Sequence, residues 1–84
     1  VAYLPEVIVD GATDPVVQVI EEKTGQILYT LRIDGKRFQP WVFAPGKYTI
    51  RVGKESLGAS ENGKIVSGLT ASPDRERLPL RIRF

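Results

Sequence analysis

The chain has 84 residues, 42% hydrophobic and 26% charged, with a formal net charge of +2; this is the profile of one folded globular domain, not of a disordered tail, a dedicated nucleic-acid binder or a multidomain chain. It holds no His and no Cys, which removes the usual general base near neutral pH, the triads built on His, disulfides and nearly every zinc site. No apolar run approaches the roughly 20 residues of a membrane-spanning helix, and no signal-peptide segment is visible.

Residues 1–10 read VAYLPEVIVD. Val7, Ile8 and Val9 favour a short strand, and Pro5 limits what precedes it, so residues 1–6 read as a linker from a preceding domain that leads into the first strand. Gly11 to Pro15 is turn chemistry. Residues 16–21, VVQVIE, form a second strand, with Val17 and Val19 toward the core and Gln18 on the other side. The turn Glu22-Lys23-Thr24-Gly25 closes a hairpin with residues 26–33. There Ile27, Tyr29, Leu31 and Ile33 share one parity and Thr30 and Arg32 the other, with Leu28 as the apolar exception; alternation of this kind marks a half-buried antiparallel strand.

After the Asp34-Gly35 turn, residues 37–43 carry Phe38, Pro40 and Val42 on one parity and Trp41 and Phe43 on the other. Both parities are apolar, so periodicity leaves the direction of Trp41 open, while Pro40, lacking an N–H, predicts an edge or a bend. Pro45-Gly46 makes a tight turn, and Tyr48, Ile50 and Val52 then face the core with Thr49 and Arg51 outward. Residues 54–64 are polar and read as a loop, with a weakly signalled short helix over 55–60. A short strand over 65–69 and a polar connector over 70–77 follow. The chain ends on the cleanest alternation it has, Leu78, Leu80, Ile82 and Phe84 inward against Pro79, Arg81 and Arg83 outward. The total is about seven short strands at roughly ten-residue spacing, an all-β, single-domain antiparallel β-sandwich.

Thr24-Gly25, Asp34-Gly35, Pro45-Gly46 and Tyr48 punctuate residues 16–53 in an order that resembles the transthyretin-like or carboxypeptidase-regulatory-like β-sandwich modules of bacterial multidomain proteins. An immunoglobulin-like or fibronectin-like topology would give much the same strands. The resemblance covers a little under half of the chain, and no motif of these families is placed in the C-terminal part. It implies a non-catalytic accessory module that spaces, stabilises or adheres. It also implies a larger exported parent, an extracellular or periplasmic location, and a module that is monomeric in isolation. The first residue is Val and Met is absent, which reads as a processed chain or an excised domain. Some pilin-type relatives carry a Lys–Asn isopeptide bond. Here the sole Asn, Asn62, falls in an Asn-Gly loop and not on a closing strand, which argues against one.

Carboxylates are the remaining chemical groups. Most of them, Asp10, Asp14, Asp34 and Asp74 among them, fall in turns, where short acidic side chains bond to nearby backbone. No spacing matches a calcium loop of the EF-hand type, a paired-acid glycosidase or a phosphate-cradling glycine motif, so neither catalysis nor a cofactor is expected. A calcium site from Asp10 and Asp14 across the intervening turn competes with a plain solvated loop. The aromatics Tyr29, Trp41, Phe43 and Tyr48 read first as core. A sharper reading puts Trp41 on the surface with Tyr29 or Phe43, where it would stack on a sugar ring or anchor a neighbouring domain. Arg32, Arg51, Arg81 and Arg83 read as solvated outward positions. If their strands share one sheet they form a basic patch for an acidic partner. No nucleic-acid motif and no membrane insertion are indicated. The expected partner is a neighbouring domain, a protein or a glycan.

Overall fold

The computed structural model describes residues 1–54 and 63–84. Among these residues every regular element is a β-strand: β1 (Ala2–Tyr3), β2 (Val7–Asp10), β3 (Val16–Glu21), β4 (Ile27–Arg32), β5 (Arg37–Phe38), β6 (Trp41–Val42), β7 (Lys47–Gly53), β8 (Lys64–Thr70) and β9 (Leu80–Arg83). They form a four-stranded sheet in the order β4-β3-β7-β8, a three-stranded sheet β5-β2-β9 and a two-stranded pair β1-β6. The all-β class follows the sequence reading. Nine strands are formed among the described residues and not seven, because β1 is a two-residue strand too short to leave a periodic trace and residues 37–43 divide into the two-residue strands β5 and β6. The isopeptide question at Asn62 and the short helix over 55–60 lie outside the described residues.

One core joins the sheets. Val17, Val19, Tyr48, Ile50 and Val52 come from the four-stranded sheet, Val7, Val9 and Ile82 from the three-stranded one, and Ala2, Leu4 and Val42 from the N-terminal segment and β6. Each large aliphatic side chain removed from water here contributes about 1.5–3 kcal/mol before the entropy of ordering is subtracted. Tyr48 is buried with its hydroxyl donating to the carbonyl of Ala44, 2.8 Å away, so its one polar atom enters the core with a partner.

The β3–β4 hairpin forms as its turn residues require. Gly25 takes φ 74° and donates to the carbonyl of Glu21 at 2.8 Å, while the Thr24 hydroxyl donates to the Glu21 carboxylate at 2.8 Å. Outside the core, Gln18 of β3 donates to Thr30 of β4 at 3.1 Å, which lets a nearly buried amide sit on the outward side of a central strand.

Four sequence expectations change. First, Ile27 is not on the core face. Val19 pairs with Tyr29 but Ile20 pairs with Ile27, so Leu28 is an extra residue in the ladder. A bulge shifts side-chain parity by one, and Ile27 turns outward beside Ile20, 53% exposed. Second, residues 37–43 are two strands in different sheets, broken at Gln39 and Pro40, the bend that Pro40 predicts. Third, Leu78 does not join the final strand. It is 91% exposed, and pairing starts only at Leu80. Fourth, the sheets are not wholly antiparallel: β9 runs parallel to β2, Val7 opposite Leu80 through Asp10 opposite Arg83. A hairpin cannot connect parallel neighbours. The two ends of the chain therefore meet as a closing pair.

Candidate functional site

An apolar groove of about 320 Å³ is lined by Leu28, Tyr29, Leu31, Phe38, Trp41, Val42 and Phe43. Its position follows from three local features. β4 is the outermost strand of its sheet and β5 the outermost of its own, so the layers are open to solvent on this side. The bulge at Leu28 brings that side chain to the groove beside Tyr29 instead of sending it outward. The break at Pro40 lets β6 turn away from β5, so Val42 enters the core while Trp41 and Phe43 stay at the rim, 44% and 80% exposed.

The two rim rings meet edge to face, with centroids 5.0 Å apart and planes at 89°, an arrangement favoured by the ring quadrupoles. Tyr29 reaches across from β4, and its hydroxyl donates to the carbonyl of Trp41 at 3.0 Å. That bond ties the two walls together and occupies the phenol proton. Burial pushes the Tyr29 phenol above its ordinary pKa, as expected for an acid whose anion would lose hydration. The lining residues carry no charged side chain, and the Tyr29 hydroxyl and the Trp41 indole N–H are their only side-chain polar groups.

The structure thus brings Tyr29, Trp41 and Phe43 together, and it adds Leu28, Leu31 and Phe38, which the sequence reading treated as strand residues only. Phe38 was findable, since it lies two residues before the Pro40 bend. Tyr48 is separate from this group and belongs to the core.

The arginines are divided. Arg32 lies on β4 and Arg51 on β7, in the four-stranded sheet, whereas Arg81 and Arg83 lie on β9 in the three-stranded sheet. The condition for a single basic patch is therefore not met. Arg81 is also neutralised in place: it contacts Asp10 at 3.1 Å, and Asp10 lies 3.8 Å from Lys36. Arg37 forms a parallel contact with Glu6 at 2.9 Å, which holds the guanidinium above its usual pKa through the hydrogen bond and the charge of Glu6. Arg37 and Arg81 both stand opposite Ile8 in the ladder. Ile8 is buried although it lies outside the core cluster.

The carboxylates considered for calcium are separately engaged. Asp10 faces Lys36 and Arg81, and Asp14 accepts the Gly35 N–H at 2.8 Å. Among the described residues no three acidic side chains group as a metal site would need. No protein-family model, curated protein or solved structure matches this chain.

Proposed function

We propose that this chain is a non-catalytic accessory β-sandwich module of a larger exported bacterial protein, and that the groove between β4 and the β5–β6 segment packs against a neighbouring domain or protein partner. The observation that carries this reading is the groove itself. Large apolar side chains stand at the surface around a concavity with almost no hydrogen-bonding capacity, and exposed aromatics gathered in this way mark contact surfaces. The absence of His and Cys from the sequence and, among the described residues, the engagement of Glu6, Asp10, Asp14 and Glu22 in separate ion pairs and hydrogen bonds support a role without covalent or proton-transfer chemistry.

An immunoglobulin-like or transthyretin-like arrangement is the finer fold that fits this role. Tyr48 supports it, because its hydroxyl bonds to the backbone four residues earlier, the corner geometry found in Greek-key sandwiches. An extracellular or periplasmic location and a monomeric isolated module belong to the same proposal.

The second reading is carbohydrate binding by Trp41 with Tyr29 and Phe43, and the exposure of Trp41 favours it. Sugar recognition needs polar groups beside a stacking face. Here the rim rings are perpendicular, the Tyr29 proton is already committed to the Trp41 carbonyl, and no carboxylate or amide side chain lines the groove. A protein surface is the better fit. Trp41 is the sole tryptophan, so its fluorescence reports on this site alone. In the isolated module its emission should be red-shifted and indifferent to soluble laminarin, xylan or hydroxyethylcellulose. In a longer natural polypeptide, with any tryptophan outside these residues replaced by phenylalanine, it should move to the blue. Quenching or a shift with any of these polysaccharides would replace the first reading by the second, and identical emission in module and parent would remove domain packing.

A further inference from the structure

We infer that Glu22 is an acid-sensitive latch on the edge strand β8. Glu22 follows β3, and its side chain reaches past β7 to β8. One carboxylate oxygen accepts the Thr49 hydroxyl at 2.9 Å and the Gly68 backbone N–H at 2.6 Å. The Thr49 hydroxyl also lies 3.2 Å from the Ser67 hydroxyl, and the Glu22 N–H donates to the Lys47 carbonyl at 3.1 Å. A single carboxylate therefore joins the end of β3, the outward face of β7 and the middle of β8.

The latch sits where β8 is weakest. Tyr48 pairs with Leu69 but Ile50 pairs with Val66, so β8 carries an extra residue at Ser67 and Gly68, and Gly68 adopts φ 73°. This bulge interrupts the ladder. No residue of β8 is fully buried. Leu69 is the β8 side chain packed against the core; otherwise the strand depends largely on backbone bonds to β7 and on the polar contacts of Glu22 and Thr49, the profile of a segment that opens locally before the rest of the fold. Opening would free the outer edge of β7, the strand bearing Tyr48, Ile50 and Val52.

The charged groups around the latch are few. Lys47 on β7 contributes a favourable charge. Glu21 and Lys23 flank Glu22 in the chain, and the Glu21 carboxylate is engaged with Thr24. β8 meets Glu22 through the Gly68 N–H, beside the neutral Ser67. The Gly68 hydrogen bond, followed by that from Thr49, holds the Glu22 carboxyl below its ordinary pKa. The latch is therefore fully present above the unfolded-state pKa of a glutamate and is lost as pH falls through the lower folded-state value.

Amide hydrogen exchange of the natural protein tests this. Gly68 protection, corrected for the intrinsic pH dependence of exchange, should fall about threefold or more as Glu22 titrates, the difference between a charge-assisted and an ordinary hydrogen bond. Protection at Val17 and Val19, in the central strand β3 and paired with β4, should stay level. The Gly68 amide proton shift should titrate with the Glu22 carboxyl carbon. In Glu22→Gln, Gly68 should be weakly protected at every pH and its shift should no longer titrate. Flat Gly68 protection in the natural protein, or an unchanged pH response in Glu22→Gln, would overturn the latch.

Discussion

Tyr48 concentrates the physics of this domain in one side chain. It is 1% exposed, it centres the core contacts of β7, and its hydroxyl is satisfied by Ala44. Removing the ring should cost about 3–5 kcal/mol in Tyr48→Ala, through lost burial plus the cavity left behind. Tyr48→Phe should cost about 1 kcal/mol, because it deletes one hydrogen bond and leaves the Ala44 carbonyl unpartnered. Urea denaturation of both variants measures the two terms, and equal losses would mean that the ring is not packed as described. Tyr48 also predicts an alkaline limit. Burial, with a smaller contribution from Glu21, raises its pKa in the folded state. The folded state then holds the proton more tightly than the unfolded chain, so stability is intact below the unfolded pKa of about 10 and declines as pH rises above it. Tyr48→Phe should flatten that decline in part, Tyr29 supplying the remainder. Arg81→Ala, by contrast, should change stability by less than about 1 kcal/mol, since its pairing with Asp10 is at the surface.

At the scale of the element, the long strands were legible in the sequence and the short ones were not. β3, β4, β7 and β9 each carry at least four residues, enough for period-two spacing to show, and the residues at Gly25, Gly46 and Pro40 mark where the chain turns. Trp41 was undecidable because both parities of residues 37–43 are apolar; only the break at Pro40, which reassigns β6 to a different sheet from β5, sends it to the groove rim. Ile27 and Leu28 were misplaced because a bulge is invisible to alternation. Leu78 was misplaced because alternation marks a face and cannot tell whether a partner strand is there to cover it. The glycines test the turns that hold the elements. Gly25 and Gly35 adopt positive φ with open space around them, so Gly25→Ala and Gly35→Ala should each cost about 1–2 kcal/mol, from backbone strain alone. Gly11 has φ 88° and also lies against the Phe84 carbonyl, beside the bond from the Phe84 N–H to Asp10 at 2.8 Å. Gly11→Ala must strain the backbone and push β9 away from β2, so its loss should exceed the other two. Thermal midpoints of the three variants give the order, and an equal or smaller loss at Gly11 would mean that the contact with Phe84 is easily relieved.

At the scale of the whole molecule, the parallel pairing of β2 with β9 decides how the domain closes. Val7 meets Leu80, so this contact closes a loop spanning most of the chain, whereas the β3–β4 hairpin pairs Val19 with Tyr29 across a short turn. Distant pairings must overcome loop-closure entropy before their contacts stabilise anything, so they form late. Val19 and Ile82 are both buried in the same core, and Val19→Ala and Ile82→Ala should both destabilise, Ile82→Ala by about 2–5 kcal/mol. Their kinetics should differ. Val19→Ala should slow folding, because the β3–β4 and β3–β7 pairings belong to the structure already formed at the barrier. Ile82→Ala should mainly speed unfolding, because β9 docks after the barrier is crossed. Stopped-flow folding and unfolding rates across a urea series separate the two cases. A slowed folding arm for Ile82→Ala with an unchanged unfolding arm would place the meeting of the chain's two ends at the start of folding and not at its end.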